Sequence, residues 1–333
     1  MKSQTLIQLL ADRVQQQPES IAIEALDRDP LTYRGLYRHV ISIGAMLNQA
    51  GIGRNDRVAI VAPNGPEMAT AFLSVAAGAT SAPLNPQYRA AEFDFYLSDL
   101  KAKALIIQAD LESEARTVAL DRGIPIIDLV PRLDCAAGQF ELLPHTSCPI
   151  KPGDFVAADD IALVLHTSGT TSRPKLVPLT QANICASALH VSASLQLSSA
   201  DRCLNVMPLF HIHGLIAAVL ASLSAGGSVL CTPGFQAPSF FEWFDRFRPT
   251  WYTAVPTMHQ VILARAGDQL ALLRRSALRF IRSSSASLAP VVMNELERTF
   301  KVPVIEAYGM TEAAHQMASN PLPPLPRKAG SVG

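Results

Sequence analysis

Apolar positions along the chain fall into short runs that alternate with segments of helical period. "RVAIVA" (57–62), "ALII" (104–107), "IALVL" (161–165), "SVLCT" (228–232), "LRFIRS" (278–283) and "VPVIEAY" (302–308) are brief and predominantly apolar, as strands covered on both faces are. Segments 66–77, 180–195 and 289–300 repeat their apolar positions every three to four residues and predict helices. This alternation predicts an α/β fold built on mostly parallel, doubly covered sheets. The irregular, turn-rich stretch 131–160 marks the expected join between a first α/β subdomain over 1–150 and a second over 151–333. No internal repeat or low-complexity run interrupts the pattern.

Two segments test whether any part of the pattern belongs in a membrane. The opening "MKSQTLIQLLADRVQQQPES" has its apolar run broken by Gln8, Asp12 and Arg13, so it predicts an amphipathic helix rather than a secretion signal. Residues 214–241 carry no charge, but "SAGGSVL" places glycines and serines mid-run and Pro233 and Pro238 follow. That pattern predicts a buried helix, a turn and a buried strand rather than a span.

Composition narrows the class of partner. With 49% hydrophobic and 17% charged residues in 333, the chain is long and apolar enough to fold around substantial cores. The 28 basic residues balance 28 acidic ones, which argues against a nucleic-acid or acidic-membrane surface and for a small ligand. Five widely spaced cysteines without a CxxC pair argue against both a disulfide framework and a zinc site, and suit a reducing, cytoplasmic compartment.

Four stretches carry candidate chemistry. "LVLHTSGTTSRPKLVPLT" (163–180) predicts a strand, a loop and a new helix, the arrangement in which open α/β sheets hold phosphates. Thr167, Ser168, Thr170 and Thr171 offer hydroxyls, Gly169 permits close backbone approach, and Lys175 adds a mobile positive charge. The GxxxxGK[ST] template nevertheless fails, because Arg173 stands four residues after Gly169 and Leu176 replaces the hydroxyl after the lysine. On composition alone, a hydroxyl-rich surface turn remains open.

In "VIEAYGMTEAAHQM" (304–317) a strand is expected to end at Ala307 or Tyr308 and a helix to begin near Met310. Helical spacing would then put Thr311, Glu312 and His315 on one face, with Glu312 a natural magnesium ligand beside a phosphate and Tyr308 offering a ring face to a base. A capped helix with a solvated Glu312 stays open. "MPLFHIHGL" (207–215) places His211 and His213 two apart, which on a strand shares a face, but no acidic or cysteine residue completes a metal set. "IRSSSASLAP" (281–290) gathers Arg282 with Ser283, Ser284, Ser285 and Ser287 at a strand end, where a plain polar turn is the alternative.

Taken in order, "TSGTTSRPK", "PLFHIHG", "RSSSASLAP", "EAYGMTE" and "GSVG" closely resemble the AMP-forming acyl-CoA synthetases of the adenylate-forming superfamily. "LTYRGL" (31–36), "GIGRNDRVAIVAPNGPE" (51–67) and "GATSAPLNPQYRAAEF" (78–93) extend the resemblance over essentially the whole chain. "HTSGTTSRPK", "WYTAVPT" and "EAYGMTEAAHQMASNPLP" look most like the oxalate–CoA ligase branch.

The resemblance implies two stacked, doubly wound αβα subdomains and a two-step reaction. A carboxylate attacks the α-phosphate of Mg-ATP to give acyl-AMP and pyrophosphate, and coenzyme A then displaces AMP. It implies that the 167–175 loop grips the β- and γ-phosphates and that Glu306, Ala307, Tyr308, Ser285 and Ala286 line the adenine. Thr311 would contact the α-phosphate, Glu312 would hold magnesium, and Thr311, Lys175 and His211 form the implied catalytic set.

A donor-rich lining of His211, His213, Arg282, Ser284, Ser285 and His315 suits a small dianion such as oxalate rather than a fatty or aromatic acid. His213, Ser285 and His315 are expected to meet its distal carboxylate, with His211 at the cleft wall.

Two departures stand against the family pattern. Ser172 and Leu176 replace its glycines, and Leu176 is expected to shift Lys175 or narrow the loop. Family members also continue past "GSVG" into a small barrel, a hinge and a mobile C-terminal domain carrying a catalytic lysine. The barrel is therefore expected to be incomplete and the C-terminal domain absent, leaving this chain weak or inactive unless a longer chain supplies them. A longer eukaryotic form could be peroxisomal. The alternatives are a non-catalytic adenylate- or partner-binding module on the same fold, a medium-chain fatty acid or aryl–CoA ligase, and a kinase-type ATPase releasing ADP.

Overall fold

The computed structural model describes residues 5–145, 156–167 and 173–332. Its strands are β1 (Ile21–Glu24), β2 (Leu31–Thr32), β3 (Arg57–Val61), β4 (Thr80–Pro83), β5 (Ala104–Gln108), β6 (Ile126–Pro131), β7 (Phe140–Pro144), β8 (Ile161–Thr167), β9 (Lys175–Thr180), β10 (Arg202–Asn205), β11 (Ser228–Cys231), β12 (Trp251–Ala254), β13 (Phe280–Ser283), β14 (Val304–Met310) and β15 (His315–Ser319). They form two sheets. One has the order β15-β14-β13-β12-β10-β11-β1-β2, the other β7-β6-β5-β3-β4-β8-β9.

Interior strands pair in parallel, while the outermost pairs β1–β2, β14–β15, β6–β7 and β8–β9 are antiparallel. The fold is thus the doubly wound α/β architecture expected. The sheets do not divide at residue 150, however. β1 and β2 join the sheet built mainly from later strands, and β8 and β9 join the sheet built from earlier ones. Composition along the chain cannot reveal such an exchange, because strand partners are chosen by non-local pairing.

Period-2 alternation places the cores. Val58 and Ile60 of β3 enter one apolar cluster and Ala59 and Val61 another. In the second sheet, Cys203, Val229 and Phe280 face the first of these clusters, whereas Leu204, Leu230 and Ile281 face a third. The first cluster lies between the sheets, where the helices Tyr33–Gln49, Pro66–Ala76 and Gln181–Ser194 contribute Leu36, Phe72 and Ile184.

The helix starts follow from local chemistry. Thr32 Oγ1 accepts from Gly35 N–H at 3.1 Å, Pro66 occupies a first-turn position, and Thr180 with Asn183 forms a reciprocal capping box.

The charge-free stretch reads as expected. It forms a buried π-helix, His213–Leu220, then Ala221–Ala225, then β11, with Gly226 at φ 83 making the turn. No helix among the described residues is long and apolar enough to cross a membrane.

Candidate active site

The carboxyl ends of β8, β12, β13 and β14 converge with the start of the π-helix. This is the edge where open α/β sheets bind ligands. A cavity of about 380 Å³ there is lined by His166, His211, His213, Ser285, Thr311 and His315 on its polar side. Met207, Phe210, Ile212, Val255 and Met310 form its apolar walls. A second cavity, about 430 Å³, shares Ser285 and Gly309 with it and is lined by Ala286, Ser287, Glu306, Ala307 and Tyr308 together with Gly330, Ser331 and Val332.

The strands flanking the hydroxyl-rich loop depart from expectation. β8 runs into a hairpin rather than a helix: β8 and β9 pair antiparallel from Ile161–Thr180 to Thr167–Lys175, and the helix begins only at Gln181. The cause is a period-2 pattern in "KLVPLT", where the buried Val177 and Leu179 alternate with the less buried Leu176, Pro178 and Thr180. Pro178 is tolerated because β9 lies at the sheet edge. Ser168, Gly169, Thr170 and Thr171 lie outside the described residues. Lys175 is exposed opposite Thr167, and Thr167 Oγ1 lies 3.4 Å from Glu312 Oε1, which links this hairpin to the 304–317 motif. Leu176 alternates with Lys175 to the opposite side of β9, where it is half-buried against the outer apolar cluster.

The 304–317 motif is also corrected. No helix starts at Met310. β14 continues to Met310, a single 3₁₀ turn spans Thr311–Ala313, and His315 opens the antiparallel strand β15. Thr311, Glu312 and His315 therefore do not share a helical face. Thr311 and His315 line the first cavity, and Glu312 is exposed at its rim. Residues in the left-handed region cluster here: Ser285 at φ 73, Ala314 at φ 53 and His315 at φ 106. Such backbone strain gathers where geometry serves a site.

His211 and His213 do not share a strand face either. His211 is exposed in the turn after Leu209, whereas His213 is buried as the first residue of the π-helix. A Cβ on the adjoining Gly214 would lie 2.4 Å from the Pro208 carbonyl oxygen, so only glycine lets the chain fold back this tightly. π-Helical turns are rare and recur at functional sites.

Behind the cavity floor, Arg282 is fully buried. Its Nη1 lies 3.3 Å from His213 Nε2 and 3.4 Å from Thr253 Oγ1, and its Nη2 lies 3.3 Å from His315 Nε2 and 3.0 Å from Gln316 Oε1. The two imidazoles stack with centroids 5.1 Å apart. His213 Nδ1 reaches Ser285 Oγ at 2.9 Å, and its Nε2 is 2.6 Å from Thr253 Oγ1.

Burial lowers the Arg282 pKa to about 10, so it remains a cation at neutral pH. Burial first, and then the Arg282 charge among other cations, holds His213 and His315 well below the ordinary histidine range. Among the described residues no carboxylate hydrogen-bonds this guanidinium. Two expected pocket residues thus sit behind the lining: Arg282 lies against the two histidine rings, and Ser284 donates to the Ala307 carbonyl at 2.9 Å.

In the second cavity Glu306 Oε2 accepts from Gly330 N–H at 3.1 Å, and burial raises its pKa. Asn320 Nδ2 donates to the Ser331 carbonyl at 2.6 Å, which anchors the "GSV" segment against β14. All five residues expected around the adenine, Ser285, Ala286, Glu306, Ala307 and Tyr308, line this one cavity.

Sequence reasoning passed over Thr253, Gln316 and His166. Gln316 Nε2 donates to Ser194 Oγ at 2.9 Å, so it bridges Arg282 to a helix. His166 lines the first cavity while its Nε2 lies 2.9 Å from Asp99 Oδ2. Thr253 and His166 lay inside the quoted motifs, but only the fold brings them to the cavity. A larger cavity, about 680 Å³, lies at the other end of β3, β5 and β6. Three of its basic residues serve helix ends, with Arg57 Nη1 on the Leu100 carbonyl at 3.1 Å and Lys101 and Arg122 at helix C-caps.

Comparison with known proteins bears on this arrangement. The model of the family described as AMP-binding enzyme matches residues 10–333. An oxalate–CoA ligase of Arabidopsis thaliana is 42% identical over 100% of this chain and 66% of its own length. An oxalate–CoA ligase of Saccharomyces cerevisiae is 36% identical over 95% of this chain and 63% of its own. The crystal structure of ATP-bound MatB from Rhodopseudomonas palustris superposes with a TM-score of 0.83 at 26% identity, covering 98% of this chain and 64% of that one. The chain therefore spans about two thirds or less of the length of these relatives.

Proposed function

On the premise that the chain belongs to the AMP-binding enzyme family, we propose that it is the core of an ATP-dependent acid–CoA ligase acting on a small dicarboxylate such as oxalate. The observation that carries the acid assignment is Arg282: a buried guanidinium with no carboxylate partner among the described residues, directly behind two neutral imidazoles. Burying a cation without a counter-charge is unfavourable by several kcal/mol in order of magnitude. The distal carboxylate of a diacid at the cavity floor supplies that counter-charge, whereas the apolar end of a fatty or aromatic acid does not. The polar floor of His213, Ser285 and His315 suits the distal carboxylate, and the exposed His211 stands at the wall.

In this reading the second cavity takes the adenine, with the Tyr308 ring as one wall and Glu306 at its base. The proximal carboxylate of the acid then lies beside Thr311, where the α-phosphate is placed, and Lys175 and Thr167 stand toward the β- and γ-phosphates. The chain's residues bind and orient the two reactants and screen the charge that builds at phosphorus. Magnesium is held through one or two carboxylates plus phosphate oxygens, so the lone exposed Glu312 beside Thr167 fits it as a ligand. The ion would neutralise phosphate charge. Coenzyme A is the co-substrate of the second step, in which its thiol displaces AMP from the acyl group.

The test is acid-dependent exchange of pyrophosphate into ATP across oxalate, malonate, acetate, hexanoate and 4-coumarate, with the nucleotide product identified. Preference for oxalate or malonate and release of AMP are expected. Preference for hexanoate or coumarate, or release of ADP, would sink the reading.

A further inference from the structure

Arg282 is a buried cation at neutral pH while burial keeps the His213 and His315 rings neutral, so the only open question at these rings is which nitrogen carries the proton. Its guanidinium has only donors. A ring nitrogen 3.3 Å from a guanidinium nitrogen must therefore accept, because an N–H there would face another N–H.

We propose that Arg282 is a positioning residue: it donates to Nε2 of both His213 and His315, so each neutral ring carries its proton on Nδ1 and meets the cavity as a fixed donor. Thr253 completes the constraint. Its hydroxyl oxygen accepts from Arg282 Nη1 at 3.4 Å, which leaves its proton to donate to His213 Nε2 at 2.6 Å, so the single lone pair there is shared between the hydroxyl and the guanidinium and no proton can sit on that nitrogen. His213 Nδ1–H then donates to Ser285 Oγ at 2.9 Å, and the Ser285 hydroxyl proton is free to point at a ligand. Nothing among the described residues hydrogen-bonds His315 Nδ1, and its ring lines the same cavity. The same logic fixes Gln316, whose oxygen faces Arg282 and whose amide donates to Ser194.

A single buried residue that does not line the cavity thereby turns its floor into a set of donors. Such a floor selects an anion over a neutral carbonyl or hydroxyl ligand. The inference rests on the small-diacid reading for its purpose, but its geometry does not need that reading.

The experiment uses the ligand-free 333-residue protein labelled with 15N-histidine. Two-bond proton–nitrogen correlation spectra identify the tautomer of each ring, with His213→Gln and His315→Gln assigning the two signals. Both rings are expected neutral at neutral pH with the proton on Nδ1. A proton on Nε2 of either ring, or a charged ring at neutral pH, overturns the proposal, and this measurement needs no Arg282 variant to fold.

Arg282→Lys, whose single ammonium cannot span both rings, should leave at least one ring without a unique tautomer. If both Arg282→Lys and Arg282→Met keep both patterns unchanged, Arg282 does not set them and the proposal fails. Because no acid is present, these outcomes are independent of the exchange assay, so the failure of either reading is distinguishable from the failure of the other.

Discussion

Gly309 lies against His315 so closely that a Cβ at position 309 would stand 1.9 Å from the His315 carbonyl oxygen and 3.1 Å from its Nδ1. β14 and β15 can approach to this degree only with glycine there, and that approach holds the His315 ring over Arg282. Gly309→Ala is expected to push the strands apart and lower stability by about 1–3 kcal/mol. Oxalate binding should weaken more than ATP binding, because His315 belongs to the acid cavity. Urea unfolding and calorimetric titration with each ligand check both parts.

Arg282→Met removes the buried cation without greatly changing side-chain volume. Oxalate affinity should fall by roughly 10- to 100-fold, the equivalent of one charge-assisted contact. ATP binding should change far less. Titration of the variant with oxalate reads the effect, and unaltered oxalate affinity would show that the guanidinium does not serve the acid.

Leu176 is half-buried against the outer apolar cluster that contains Phe93, Leu97 and Val164. Leu176→Gly should therefore lose about 2 kcal/mol of stability through lost burial and added chain freedom. It should not improve ATP affinity, since Lys175 faces the other side of β9. A gain in ATP binding without loss of stability would contradict this packing.

Stability should fall steeply on acidification below about pH 6.5. His39 and His259 are depressed to about 4 by burial, and His213 and His315 well below their ordinary value. For a histidine with a lowered folded pKa, the unfolded chain binds more protons between that pKa and 6.5. Stability is therefore complete above 6.5 and lost as the pH drops. Each such group contributes a slope of up to about 1.4 kcal/mol per pH unit within that window. Urea midpoints at pH 7.5, 6.0 and 5.0 measure the slope, and identical midpoints would refute neutral burial of these rings.

Several features of the molecule were legible in its linear pattern. Short apolar runs such as "RVAIV" and "ALII" are strands because both faces of a parallel sheet are covered, and that requirement is written locally. Capping residues such as Thr180 and the glycine turn at Gly226 are equally local. That Ser285, Ala286, Glu306, Ala307 and Tyr308 lie close together was also legible, since two of them follow β13 and three lie in the adjacent parallel strand β14.

What the sequence could not settle depended on partners distant in the chain. "KLVPLT" became an edge strand rather than the entry to a helix because β8 was available to pair with it. His315 left the expected helix because Gly309 and β14 offered a close antiparallel neighbour. The strand exchange between the two sheets has the same origin.

The resemblance of the motifs led to the expectation that arginine, histidine and serine meet at one polar place, which their residue types alone left open. Only the tertiary structure decided their order in depth, with Arg282 buried behind His213 and His315 and Ser285 in front. The physical reason is that local periodicity fixes which face of an element a side chain takes, while the layer it occupies depends on what packs across from it.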